Sequence, residues 1–198
     1  MSRVRAEDAR PRILEAVFTL IQGGGIAEVS QRRVSAESGI NVGSVRHHFP
    51  TSESMMIAAA EEVGRRMEVR LAHCARPVPG DGRSALAALR SVCLAVIPTG
   101  DDGHRELVVL QEFLAAARLS DTYRPFATRM GDDLRSVLRA ALEPVVGAAD
   151  LDVEVELLVA LIVGVSAERV QPHGVAPAIG PRQVVDRHLA RLTAPPAR

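Results

Sequence analysis

Lysine is absent from the 198 residues of this chain, so all 24 cations are arginine. Tryptophan is absent too, and the aromatics come down to one Tyr and four Phe. So few rings exclude extended stacking on single-stranded nucleic acid and leave Leu, Val, Ala and Ile to build the core. Net charge is lacking as well, because 24 acids balance the 24 arginines. That balance excludes a wholly basic nucleic-acid coat and a wholly acidic tail, but it leaves room for a locally basic face. The two cysteines, Cys74 and Cys93, are too few for a disulfide scaffold and too far apart for a CxxC pair. They are expected to be buried or spectator thiols. The longest strongly apolar run, Leu157 to Val165, falls well short of the ~20 residues that a membrane span needs. No apolar stretch follows the charged first residues as it would in a signal peptide. These shortages predict a soluble cytoplasmic protein that uses no cofactor and no metal.

What the chain has is 47% apolar residues, placed at helical spacing almost throughout and nowhere in convincing strand alternation. Ile13, Val17, Leu20 and Ile21 define a first helix, roughly Asp8 to Gln22, with Asp8 as its cap, Pro11 in its first turn and Gly23-Gly24-Gly25 as its stop. Ser30 caps a short second helix that Gly39 breaks, and Asn41 caps a third that runs to about His48. Thr51 caps a long fourth helix reaching about Ala75, with Glu53 suiting its first turn. Residues 77 to 82 (Pro-Val-Pro-Gly-Asp-Gly) form a loop. Five more helices are expected. The fifth carries Leu86, Leu89, Cys93 and Val96, the sixth spans about Asp102 to Leu119, and the seventh starts near Asp121. The eighth spans about Asp150 to Val170 and is apolar on more than one face; the last holds Val184, Val185, Leu189 and Leu192 before a frayed tail. The reading is an all-α chain of nine helices, with residues 1–50 and 51–198 as its two domains.

The stretch from Val29 to Phe49 carries the chemistry. Two short helices joined at a glycine read as a helix-turn-helix, and Gly39 suits the left-handed backbone of a tight turn. Val34, Ile40 and Val45 are spaced to pack on the first helix, which directs Val42, Ser44, Arg46 and His47 outward. A planar cation, a hydroxyl, an imidazole and a small apolar group are what major-groove readout requires. Gly43 lets backbone approach a phosphate, and the amides beside Ser30 and Thr51 are candidate phosphate donors. Residues 1–50 hold seven Arg against five acids, with Arg32, Arg33 and Arg46 on the candidate reading unit. Arg3 and Arg5 form an arm for a neighbouring minor groove. His47 and His48 are adjacent, so they point about 100° apart on a helix and do not chelate a metal easily. His48 is expected to bond the start of the next helix.

The run Gly39-Ile40-Asn41-Val42-Gly43-Ser44-Val45-Arg46-His47-His48-Phe49, followed by Thr51-Ser52-Glu53, resembles the signature of TetR-like transcriptional regulators. The flanks agree: Arg12-Ile13-Leu14-Glu15-Ala16 ahead of it, and Ser30 with Val34 leading to Gly39. The specific part covers about residues 10 to 57, and beyond it the agreement is in helix count, lengths and patterning. The expected DNA-contacting set is Ser30, Arg32, Arg33, Asn41, Val42, Gly43, Ser44, Arg46, His47, His48, Thr51 and Ser52. There are departures. Arg46 stands where the family usually has Tyr, which supplies a longer fork for phosphate or guanine. Ser52 stands where it usually has Lys, which removes one ionic contact and should reduce the salt dependence of binding unless Arg46 restores it. Ser35 and Ser38 replace residues that are usually Ala, a change expected to be tolerated.

One short reading helix distinguishes only a few base pairs, so two copies should act on a palindromic operator with half-site centres about one helical turn, ~34–36 Å, apart. The resemblance implies a homodimer joined through the last two helices. The candidate faces are Leu157, Leu158, Leu161, Ile162 and Val165 on the eighth helix and Val184, Val185, Leu189 and Leu192 on the ninth, about half of which should serve the chain's own core. It also implies a small ligand among helices four to seven that changes the spacing of the heads, through a coupling of typically ~1–3 kcal/mol. The candidate residues are Met56, Met67, Leu89, Cys93, Leu110, Phe113, Leu114, Tyr123, Phe126 and Met130. Few charges fall on the inward stripes, so the ligand should be mostly apolar. The arginine- and alanine-rich composition fits a GC-rich bacterial genome, and a nucleoid location follows from DNA binding. Two other readings are a DNA binder without a ligand, controlled by a partner protein or by abundance, and an enzyme using the helical pocket. For the enzyme no nucleophile–base pair, phosphate loop or metal spacing is present.

Overall fold

The computed structural model describes residues 9–97, 99–175 and 179–192. Among the described residues there are nine α-helices and no strand. They are α1 (Ala9–Gly24), α2 (Gln31–Ser38), α3 (Val42–His48), α4 (Ser52–Ala72), α5 (Gly82–Val96), α6 (Gly100–Ala117), α7 (Arg124–Leu142), α8 (Leu151–Val170) and α9 (Pro181–Leu192), with a 3-10 turn at Ile26–Glu28. The Asp8 cap, the arm with Arg3 and Arg5, and the tail from 193 onward lie outside the described residues. The chain forms two compact units, Met1–Arg66 with His104–Thr128, and Met67–Gly103 with Arg129–Arg198.

The first unit is organised by α1. Ile13, Val17, Phe18 and Ile21 recur at helical spacing and are buried, together with Val34 of α2, Val45 of α3 and Phe49. Ile40, expected in the same layer, is only half-buried. The three glycines do not all act as a stop. Gly23 and Gly24 stay helical, and the reversal falls at Gly25, where φ is +79° and the amide donates to Ile21 O. Met55, Met56, Ala59 and Val63 of α4 and Leu107, Val109 and Phe113 of α6 are buried in the same unit. Helix α4 stops at Ala72, a turn earlier than its apolar pattern suggests.

A charge cluster ties this unit together. Arg66 lies 4.5 Å over the Phe18 ring, pairs with Glu15, and reaches Glu62 at 2.9 Å and Glu106 at 3.8 Å. Burial opposes the Arg66 charge, but the bonds from Glu62 and the field of Glu15 outweigh it and raise its pKa. Hydrogen bonding from Arg65 holds the Glu62 carboxyl below the usual carboxylate range against the opposing effect of burial, with Arg66 adding to it. Glu112 of α6 accepts from Ile26 N at 3.4 Å, and Thr122 donates to Glu53 at 3.0 Å.

The second unit packs α5, α7, α8 and α9 around Leu89, Cys93, Val96, Leu138, Leu142, Leu158, Ile162, Val185 and Leu189. The four-residue spacing along α7 is the reason that Leu134, Leu138 and Leu142 share one face. Arginine pairs border this core: Arg90 forks onto Asp186 at 2.5 and 3.0 Å, Arg135 onto Glu156 at 2.8 and 3.1 Å, and Arg139 meets Asp152. Burial pushes the Cys93 thiol up to about 12, so it stays protonated and packs as a small apolar group. Cys74 is a half-buried free thiol.

Candidate nucleic-acid interface

Each element of the reading unit is held by a specific local bond. Ser30 Oγ accepts from Arg33 N at 3.3 Å and starts α2; Asn41 Oδ1 accepts from Ser44 N at 2.9 Å and starts α3. Between them Gly39 has φ +67°, the left-handed conformation that the turn requires. The two serines in the turn do more than replace alanines. Ser35 Oγ donates to Ile40 O at 2.7 Å, Ser38 Oγ accepts from Ile40 N at 3.2 Å, and Arg12 donates to Ser38 O at 2.8 Å. At α4, Thr51 Oγ1 accepts from Ser54 N at 2.9 Å while Ser54 Oγ answers Thr51 N at 3.2 Å. The Thr51 cap was legible in the sequence; its partner Ser54 was not singled out.

These constraints fix which side chains face outward. Val45 is fully buried, so its neighbours on the far side of α3 are not. Arg46, His47, Asn41 and Gly43 are exposed, and Val42, Ser44 and His48 are half-buried. Gly43 has a second reason to lack a side chain: a Cβ there would come within 3.2 Å of Asn41 Oδ1, the atom that caps the helix. Ser52, Thr51 and Arg32 are exposed, and Ser30 is half-buried. Arg33 is exposed but paired with Glu28. His48 meets the His47 ring edge-on at 5.6 Å. Among the described residues it makes no hydrogen bond to the start of α4, so that part of its expected role is not seen. Gln31, which the sequence did not single out, sits behind this face. Its amide nitrogen donates to Phe49 O at 2.8 Å and its oxygen accepts from Arg46 Nε at 3.3 Å.

A protein-family profile described as BetI-type transcriptional repressor, C-terminal, matches residues 85–194. The HTH-type transcriptional repressor Rv3405c of Mycobacterium tuberculosis is 30% identical over 135 residues, 68% of each chain. The chain belongs to the TetR family of transcriptional regulators. The HTH-type regulator PksA of Bacillus subtilis is 27% identical over 163 residues, covering 81% of this chain and 78% of its own. A TetR-like fold is also what the solved structures show. A transcriptional regulator from a Rhodococcus species superposes with a TM-score of 0.76 at 23% identity, over 93% of this chain and 95% of its own. The multidrug binding protein EbrR, solved with malachite green, gives 0.65 at 21% identity, over 93% and 98%. TetR proteins are DNA-binding regulators and not enzymes, which removes the helical-pocket enzyme from consideration.

As a TetR-family protein the chain has two further expected sites. The ten residues suggested for a ligand are divided between the compact units. Met56, Phe113 and Phe126 are buried in the first, where Phe113 meets the Tyr123 and Phe126 rings edge-on at 5.5 and 5.8 Å; Leu110, Leu114 and Tyr123 are half-buried there. Burial, followed by the Glu53 charge, raises the Tyr123 hydroxyl pKa, so it remains a hydrogen-bond donor at neutral pH. Leu89 and Cys93 are core residues of the second unit, Met67 packs against that core, and Met130 is half-buried. A cavity of about 480 Å³ opens in the second unit among Val145, Val146, Glu154, Leu157, His188 and Leu192, and none of the ten lines it.

The dimer candidates separate by burial. Leu158, Ile162, Val185 and Leu189 belong to the chain's own core, whereas Leu161, Val165, Val184 and Leu192 are half-buried and Leu157 is 47% exposed. Val153 at 62% and Val163 at 50%, which the sequence reading passed over, extend the open face of α8, together with exposed Ala160 and Gly164.

Proposed function

We propose that the protein is a homodimeric repressor that binds a palindromic operator through α3 and is released by a small, mostly apolar ligand. The observation that carries this reading is the outward face of α3. Arg46 and His47 stand exposed beside Val42 and Ser44, on a helix whose opposite side is anchored by fully buried Val45. Ser30, Arg32, Asn41, Gly43, Thr51 and Ser52 flank that face as phosphate-positioning groups. Arg33 joins them by exchanging Glu28 for a phosphate, and His48 supports His47.

Residues 1–50 serve as the reading domain, and 51–198 as the ligand-binding and dimerisation domain. The exposed apolar residues of α8, Val153, Leu157 and Val163, fit a second copy of the same face under two-fold symmetry. Two heads so joined read half-sites about one helical turn apart. The ligand is taken by the aromatic and methionine side chains around Phe113, Tyr123 and Phe126, with Tyr123 as the polar handle; the likeness to a drug-binding neighbour supports an adaptable apolar site. The protein acts in the bacterial cytoplasm, at the nucleoid.

The test is selection of a duplex from a randomised DNA library by the wild-type protein, followed by titration of that duplex with Arg46→Ala. The expected result is an inverted repeat and at least a tenfold loss of affinity with helicity unchanged. Affinity within twofold of wild type would remove Arg46 from the interface.

A further inference from the structure

Arg46 does not stand free on α3. Gln31, the first residue of α2, lies between the end of α3 and the chain that leaves it. Its amide nitrogen donates to Phe49 O at 2.8 Å, which fixes the orientation of the amide group, and its oxygen then faces Arg46 and accepts from Nε at 3.3 Å. Phe49 is itself buried and covered by Arg10, 4.7 Å from its ring centroid, so the residue whose carbonyl orients Gln31 is anchored in the core. A guanidinium can meet a paired acceptor with its side, using Nε and one terminal amino group, or with its end, using both terminal groups. Here the side is taken by Gln31. Arg46 is exposed, and among the described residues neither of its terminal amino groups meets an acceptor, so both are left for a partner.

We propose that Gln31 is a positioning residue for DNA recognition: it locks the Nε edge of Arg46 so that the two terminal amino groups meet a paired acceptor on the duplex end-on. This rests on the reading of Arg46 as a DNA contact. The paired acceptor is either guanine O6 and N7 or two oxygens of one phosphate, which share the same fork geometry. Holding the side chain before binding removes rotamer freedom that an exposed arginine would otherwise lose on the DNA.

A double-mutant cycle on the duplex selected by the wild-type protein tests this, with Gln31→Met and Gln31→Ala each made in wild-type and Arg46→Ala backgrounds. Loss of the Phe49 bond is common to both backgrounds and cancels in the cycle; thermal melting and helicity report it separately. The expected result is about a fivefold weaker complex for each Gln31 variant in the wild-type background and less than twofold in Arg46→Ala. A guanine partner appears as lost preference at one operator position in both Gln31→Met and Arg46→Ala. A phosphate partner appears as uniform weakening across sequences, with a shallower salt dependence for Arg46→Ala. Equal losses in both backgrounds, or no loss in either, would overturn the role of Gln31 while leaving Arg46 in place. Failure of the wild-type protein to select any sequence would remove the DNA reading itself and this inference with it.

Discussion

The reading unit and the core of α5, α7, α8 and α9 solve the same problem by opposite means. Helix α3 has seven residues and buries one of them, Val45. It is shorter than any helix that holds itself together in water. Side-chain caps, the left-handed Gly39 and the bonds of Ser35 and Ser38 to the Ile40 backbone define its geometry, and almost all of its other side chains remain available to a partner. Helix α8 has twenty residues and buries Val155, Leu158, Val159 and Ile162. Its place is set by apolar area, with arginine pairs only at the border. The lesson is that stability and recognition are carried by different regions, so substitutions in the two should have opposite signatures.

Leu158→Ala should show the largest effect on stability. Leu158 is fully buried, and such truncations cost about 2–5 kcal/mol. Thermal or urea unfolding checks this, and operator affinity of the folded fraction should be unchanged. A loss of stability under 1 kcal/mol would mean that the second unit is not held by its core. Leu157→Glu should leave stability nearly intact and yield monomers by light scattering, because it places a charge on the exposed face of α8 without touching the core. A stable dimer would move the interface away from that face. Asn41→Ala removes the cap of α3 at a cost of about 1 kcal/mol. It should weaken operator binding by more than that stability change implies, since it loosens the helix that carries Arg46. Equal effects on both would erase the contrast between the two regions.

The smallest expected effect is in acid. Glu62 has its pKa depressed by Arg65 and Arg66 in the folded protein. Its contribution is therefore fully present above the unfolded carboxylate value of about 4.3 and is lost as pH falls through the lower folded value. Unfolding curves of Glu62→Gln and wild type should lie apart at pH 7 and converge below pH 4. Curves that stay parallel across that range would detach the charge cluster around Arg66 from the stability of the first unit.

How much of this was legible in the sequence follows from the range of the interactions. Ser30, Gly39, Asn41 and Thr51 act on residues within a few positions of themselves, so composition and spacing suffice to find them. Gln31 acts on Arg46 and Phe49, and Glu112 acts on Ile26; nothing local marks either residue. The run from Leu157 to Val165 shows the opposite failure. It is apolar all round, so periodicity carries no direction and cannot tell which side turns to the core. Leu158 and Ile162 went inward, while Leu157 and Val163 stayed open and, with Val153, define the face that remains. The glycine triplet misled for a related reason. Glycine permits a turn without imposing one, and the reversal fell at Gly25, whose amide meets Ile21 and where Glu112 leaves little room for a side chain.

The central claim is that the outward face of α3 enters the major groove twice on one duplex. Guanine N7 lies in that groove, so protection from methylation on the selected operator reads it directly. Two protected patches about one helical turn apart are expected, both lost in the Leu157→Glu monomer at concentrations that saturate the dimer. Full occupancy of the operator with no protected guanine, or a single protected patch that survives in the monomer, would contradict it.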